Sequence, residues 1–308
     1  MRISFIIPFY NTGKFLERCV ESVYASALPA DDVEVILVDD GSTDASADAA
    51  RTLCARHAST QLLQKANGGA ASARNFGLAA ATGDYVWWVD SDDYLLSDQL
   101  LAIAEDIEKN GRPDIYAVQE EVHRGDEKTI NCAQPSVPHG RVISGKEALF
   151  AGYMPSSAAA LLFRSDFLRA NNLRYLEGIS SEDTQFTVRA MSLAKSAFFS
   201  DYIPYIYERR QDSVSARQTE DEVLDFLLND VKAALSIRTF APTLADREVA
   251  DFVLRWSNQS LVGLCYGAKR FQTRALYKRF KSECRKLGAY PLQGPYPTWR
   301  IWLLSKIL

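Results

Sequence analysis

The first 118 residues alternate between apolar runs too short for a helix and stretches of helical periodicity, which limits the fold more than any other feature. The apolar runs lie at 3–8, 33–38, 61–65, 85–89 and 114–118, and the helical patterns between them at 14–27, 45–57, 70–81 and 97–109. Strand–helix repetition at this spacing predicts βαβ units in an α/β fold, with a mostly parallel sheet flanked by helices. Ligands of such sheets sit beyond the carboxyl ends of the strands. The polar motifs fall there: Tyr10-Asn11 after the first run, Asp39-Asp40-Gly41-Ser42 after the second, Asn67-Gly68-Gly69 after the third and Asp90-Ser91-Asp92-Asp93 after the fourth. Four loops are therefore expected to converge on one crevice.

The last of these motifs carries the most chemistry. Tyr85-Val86-Trp87-Trp88-Val89 reads as a buried strand, and three carboxylates crowd its end. Crowded carboxylates repel unless a cation sits among them. A divalent ion that holds a diphosphate fits, since hard cations take one or two carboxylates plus phosphate oxygens. Taken alone, the motif would better suit a solvated turn.

Composition sets the class. The chain has 308 residues, 47% hydrophobic and 24% charged, as in an ordinary soluble protein of one or two domains. It opens directly on a strand pattern without a charged-then-apolar leader, and no run approaches the ~18 apolar residues of a membrane span. Five scattered cysteines without a C-x-x-C pair speak against a disulfide framework or a zinc site, and suit a cytoplasmic location. His57, His123 and His139 have no partners at ligand spacing.

Beyond residue 118 the pattern loosens, with Gly125, Pro135, Pro138 and Gly140 marking loops or a hairpin up to about 155. Order returns at 158–163, in a helix near 182–194 and in strand-like runs at 196–199 and 203–207. Helical patterns follow at 220–240, 246–266 and 270–287. From Lys269 onward ten basic residues face Glu283 alone, so this stretch carries +9 and the rest of the chain −13. Aromatic and aliphatic residues interleave with that charge. The combination suits an anionic membrane surface, or a solvated helix packed on the main domain by its apolar side. No recognition module for nucleic acid accompanies it.

Taken together, Pro8-Phe9-Tyr10-Asn11, Val38–Asp44, Asn67-Gly68-Gly69 with Ala73-Arg74-Asn75, Asp90–Asp93 and Ser181-Glu182-Asp183 resemble the motifs of family 2 glycosyltransferases. The resemblance is tight over 1–110, fair to about 215 and loose beyond. It implies a GT-A fold with a catalytic domain over 1–218 (a nucleotide-sugar half at 1–118 and an acceptor half at 119–218), then a helical region at 219–308. It also implies transfer with inversion, and one sugar or very few are expected per acceptor, since the Q-x-x-R-W signature of processive synthases is broken by Phe252 ahead of Arg255-Trp256.

Residue by residue, the resemblance assigns Asp183 as general base and Glu182 to the acceptor. Asp92 falls to a divalent cation, Mn²⁺ or Mg²⁺. Pro8, Tyr10, Asp40, Asn67, Arg74, Asp90 and Ser91 fall to the nucleotide-sugar donor, expected to be a UDP-sugar. Asp93 is expected to hold its loop. The stretch Tyr205–Ser215 resembles the tyrosine–arginine loop that closes over the donor, but Glu208 stands where arginine is common, so Arg210 is favoured for the diphosphate. The implied acceptor is a saccharide, linked to a polyprenyl diphosphate in bacterial surface-polysaccharide assembly, with 269–308 holding the enzyme at the inner membrane face. Two rivals predict different behaviour. A nucleotidyltransferase would need a glycine-rich basic loop after the first strand, which Phe9-Tyr10-Asn11-Thr12-Gly13 does not supply. A non-catalytic nucleotide-sugar sensor would have no use for Asp183.

Overall fold

The computed structural model describes residues 1–154, 157–179, 181–209 and 219–307. Its amino-terminal part runs β1 (Ile3–Phe9), α1 (Gly13–Tyr24), β2 (Val33–Asp39), α2 (Ser46–Arg56), β3 (Thr60–Gln64), α3 (Ala70–Ala80) and β4 (Tyr85–Trp88). Then come β5 (Tyr94–Leu95), α4 (Leu100–Lys109), β6 (Ile115–Ala117), β7 (Glu120–Arg124), β8 (Glu127–Asn131), β9 (Val142–Ile143) and α5 (Gly145–Phe150). The chain continues through β10 (Leu161–Arg164), α6 (Ser165–Ala170), α7 (Glu182–Leu193), β11 (Ala197–Phe199) and β12 (Tyr205–Glu208). It closes with α8 (Glu220–Phe240), α9 (Arg247–Phe271), α10 (Arg274–Lys286) and α11 (Trp299–Ile307).

Among the described residues the main sheet has the order β3-β2-β1-β4-β10-β6-β11-β9. β3, β2, β1 and β4 are parallel neighbours, whereas β10 runs antiparallel to both β4 and β6. The strand order reverses between β1 and β4, and at such a switch point the loops diverge and leave a crevice. A smaller sheet, β5-β12-β7-β8, brings the end of β12 to the loop that follows β4.

Side chains alternate along each strand, so two cores form, one on each face of the sheet. Phe5, Ile7 and Trp87 pack with Leu16 and Val20 of α1 and Ile103 of α4 on one face. On the other, Ile6, Val86 and Trp88 pack with Ala73 of α3 and Phe186 and Met191 of α7. Ile237 of α8 and Val249 and Val253 of α9 join this second core, while α8 to α11 also share a cluster of their own around Val231, Leu261 and Phe280.

Most of the expected elements occur where the periodicity places them. The helix expected at 14–27 stops at Tyr24, and the loosened stretch at 119–155 contains the β7–β8 hairpin, β9 and α5. Elements of two to six residues are shorter than the window over which periodicity can be read. α11 is a further addition, beyond the helical patterns that end at 287.

Gly77 sets the spacing between α3 and the sheet. A Cβ there would overlap Ile6 Cγ2 and stand 3.0 Å from Val38 Cγ2. Gly77→Ala should therefore lower stability by about 1–3 kcal/mol, because one methyl must be forced into a packed layer. A lowered urea midpoint at unchanged slope is the expected result.

Candidate active site

The loops at the carboxyl ends of the strands are tied to one another by side chains. Asn11 lies at φ 53° and its Oδ1 accepts from the backbone N–H groups of Thr43 and Asp44 at 2.8 and 3.3 Å. The Thr12 and Ser91 hydroxyls lie 3.0 Å apart, joining the loop after β1 to the acidic loop after β4. Asp39 accepts from Ser42 N–H of its own turn at 2.8 Å and from Gln64 Nε2 at the end of β3 at 3.0 Å. The buried Asp40 reaches across to the next loop. Its Oδ1 accepts from Lys65 Nζ at 2.7 Å and its two oxygens accept from the N–H groups of Gly68 and Gly69. Gly69 lies at φ 83°, a conformation that glycine adopts without a steric penalty. Asn67 and Tyr10 are exposed at the edge of this arrangement, and Pro8 is buried within β1.

Arg74 occupies the centre. It projects from α3 and is only 6% exposed. Its Nη2 lies 2.9 Å from Asp90 Oδ1, while its Nη1 lies 2.7 Å from Glu182 Oε1 and 3.7 Å from Asp183 Oδ1. The guanidinium thus joins the acidic loop to the first turn of α7. Beneath it Tyr175 stacks on Phe186 with centroids 4.3 Å apart, and the guanidinium carbon lies 5.2 Å from the Tyr175 ring centre. Asn75 fixes Tyr175 through both ends of its amide: Oδ1 accepts from Tyr175 N–H at 2.8 Å, and Nδ2 donates to Tyr175 O at 3.0 Å.

The carboxylates differ in their surroundings. Burial pushes Asp183 up to about 7; Arg74 opposes the rise, and the charges of Glu182 and Asp90 add to it. A carboxyl group that titrates near neutral pH is matched to proton transfer. Asp93 is pushed up to about 9, first by burial and then by the charges of Asp90 and Asp92. It accepts from the Tyr205 hydroxyl at 2.7 Å and from Glu208 N–H at 3.1 Å, so it fastens β12 to the acidic loop.

This crowding bears on metal binding. Among the described residues no group of three or more candidate ligands is gathered as a ready-made metal cage. A partly exposed Asp92 beside two other carboxylates instead suits a hard cation that completes its shell with phosphate oxygens and water.

Of the residues singled out from the sequence, Asp40, Asn67, Arg74, Asp90, Ser91, Asp92, Glu182 and Asp183 fall in or around this crevice. The Ser91 hydroxyl faces Thr12, and Arg74 faces carboxylates. Arg210 lies outside the described residues. Arg18 of α1 is an addition that the sequence did not signal. Its Nη2 donates to Asp92 O at 2.9 Å, its Nη1 pairs with Glu208 at 2.8 Å, and its guanidinium lies 4.5 Å from the Tyr94 ring centre. A single arginine on a helix face resembles any solvated arginine until the fold brings its partners.

Tyr205→Phe should destabilise the protein by about 1–3 kcal/mol, because the hydroxyl also accepts from Asp90 N–H at 3.1 Å, and its removal takes the acceptor from Asp90 N–H and the donor from Asp93 Oδ2. Urea denaturation of the variant beside the parent checks this.

Comparison with known proteins bears on the family and the fold. The family description "Glycosyl transferase family 2" matches residues 4–165. The uncharacterized glycosyltransferase EpsJ of Bacillus subtilis is 31% identical over 224 residues, covering 69% of this chain and 62% of that protein. A poly(ribitol-phosphate) beta-glucosyltransferase of Bacillus spizizenii is 28% identical over 215 residues, covering 69% of this chain and 33% of that protein. The chain thus matches less than two thirds of the length of these relatives. Among solved structures, S. aureus TarS 1–349 in complex with UDP-GlcNAc superposes with a TM-score of 0.74 at 21% identity, covering 92% of this chain and 80% of that one. The mannosyltransferase PcManGT from Pyrobaculum calidifontis, in complex with GDP-Man and Mn²⁺, gives a TM-score of 0.53 at 16% identity, covering 99% of this chain and 86% of that one. At these identities the structural likeness is one of fold.

Proposed function

This chain belongs to glycosyltransferase family 2 and has the GT-A fold, and from that premise we propose that it transfers one sugar, with inversion, from a UDP-sugar to a hydroxyl of a saccharide acceptor. The observation that carries the reading is the buried Arg74, which holds Asp90 of the acidic loop and the Glu182–Asp183 pair of α7 at one crevice.

In this reading the acceptor oxygen attacks the anomeric carbon, its proton passes to Asp183, and the bond to the diphosphate oxygen breaks on the opposite face. A base within reach of the acceptor hydroxyl is what such a displacement requires. Glu182 would contact the acceptor. The uracil and ribose would rest among Pro8, Tyr10, Asp40, Asn67, Asp90 and Ser91, and Arg210 would meet the diphosphate. Arg74 was expected to touch the donor; with carboxylates around its guanidinium, it is better suited to setting Asp183 and Asp90. Asp92 would hold the divalent cation, which supplies positive charge to the departing diphosphate. The UDP-GlcNAc of the TarS complex and the GDP-Man and Mn²⁺ of the PcManGT complex support a nucleotide-sugar donor and a metal of this kind. The name of the poly(ribitol-phosphate) beta-glucosyltransferase supports a role in polymer assembly, while the lipid-linked acceptor at a membrane face rests in this proposal on the basic, aromatic stretch from Lys269 onward.

Asp183→Asn should lower kcat by a factor of about 10²–10⁴ while leaving UDP binding within a few-fold, since a positioned base contributes about that much. Calorimetry with UDP alongside a turnover assay separates the two effects. Equal loss of binding and turnover would reject Asp183 as the base.

The same assignment fixes the pH dependence. A base acts when deprotonated, so kcat/KM should fall about tenfold per pH unit below about 7 and level off above it. A flat profile between pH 5 and 8 would contradict the assignment.

A further inference from the structure

α11 packs on the carboxyl-terminal helices by one side only. Ile301 and Leu304 turn inward onto the cluster around Phe280 and Cys284. Trp299, Trp302, Leu303 and Lys306 follow the i, i+3, i+4, i+7 spacing of a single helix face, and that face is turned outward. Trp299 is 69% exposed, Trp302 50% and Leu303 46%. Two indoles and a leucine side by side in water are an unusual surface for a soluble protein, and such patches mark interaction sites.

The charge around the stripe narrows the partner. Arg300 lies beside the Trp299 ring, its guanidinium carbon 5.7 Å from the ring centre, and Lys306 Nζ lies 5.9 Å from the Trp302 ring centre. An open cleft of about 620 Å³ lies between α11 and the segment from Leu292 to Thr298, and Trp299, Trp302 and Lys306 line its α11 side. The stretch from Lys269 onward carries ten basic residues against Glu283. Indoles favour the bilayer interface, and lysine and arginine next to them favour anionic headgroups. No helix among the described residues is long and apolar enough to cross a membrane. The arrangement therefore suits a helix lying in the plane of the interface.

We propose that the outward face of α11, built from Trp299, Trp302, Leu303 and Lys306 with Arg300 at its edge, docks the protein on an anionic lipid bilayer. The inference deepens the membrane part of the proposed function. It rests on that reading only for what the enzyme would find there, a lipid-linked acceptor. It makes α11 the anchoring element, distinct from the elements that carry the motifs of the crevice.

The test is flotation of the full 308-residue chain with vesicles of phosphatidylcholine alone and with phosphatidylglycerol added, at low and high salt. The parent should float with the anionic vesicles, less at high salt, and little with the neutral ones. Trp302→Glu with Leu303→Glu should lower the bound fraction about tenfold or more, since the replaced groups supply the buried apolar area. Arg300→Gln with Lys306→Gln keeps both indoles and should weaken binding to anionic vesicles alone. An unchanged melting temperature and unchanged UDP affinity in both variants would show that the fold and donor site persist. Failure of the parent to float, or flotation of the Glu variant at the parent's level, would overturn the proposal. So would a concentration-dependent dimer that the Glu variant abolishes, seen without flotation. UDP binding in the parent is read separately, so a failed donor assignment and a failed membrane surface give different results.

Discussion

The site depends on one buried cation. Arg74 is almost fully removed from solvent, and a guanidinium in that position is tolerable only if it is paired and hydrogen-bonded. Asp90, Glu182 and Asp183 supply the pairing from two elements far apart in sequence. The reverse also holds: without the guanidinium, three carboxylates would crowd one partly dry crevice. Each side of the network is stable only in the presence of the other, which is how a fold holds charges close together for catalysis. Such a network adds little to stability, because its Coulombic gain is offset by desolvation. Its effect is to fix geometry and to set how readily Asp183 takes a proton.

Several layers hold Arg74 in place. The Trp88, Tyr175 and Phe186 rings meet edge to face or stacked beneath it, and Trp88 belongs to the strand that ends in the acidic loop. Behind α7, the Ser181 hydroxyl donates to Asp230 of α8, and Gln185 Nε2 donates to Ser236 at 2.9 Å. The carboxyl-terminal helices therefore brace the turn that carries Glu182 and Asp183. On the other flank, Asp93 and the Arg18–Glu208 pair fasten the acidic loop to the end of β12. Glu208 stands where family 2 enzymes commonly carry arginine, and here it is the partner of an arginine from α1.

The sequence made the sheet legible because strand and helix periods alternate over its first 118 residues, and polar residues at strand ends cannot be mistaken for core. The acidic loop could be found for the same reason, whereas the Ser181-Glu182-Asp183 turn stood out only by its resemblance to the family motif, because acidic residues are common at any helix start. The contact between them could not. Arg74 and Glu182 are separated by 108 positions, and no local pattern records which carboxylates an arginine will meet. Arg18 was missed on the same grounds. β9 and α5 were too short for their periodicity to stand out, and α11 follows a stretch with three prolines that reads as loop. Asp93 was expected to hold its loop, and its bonds to Tyr205 and Glu208 are of that kind.

The most direct test of the central claim is the pH dependence of kcat/KM for Arg74→Gln beside the parent, with thermal melts to confirm that both are folded. If Arg74 favours the ionised form of Asp183, its removal must move the rising limb of the profile to higher pH, because Asp183 then loses its proton less readily. A lowered rate whose rising limb stays at the same pH would contradict the account, since Arg74 would then act without any electrostatic hold on the base.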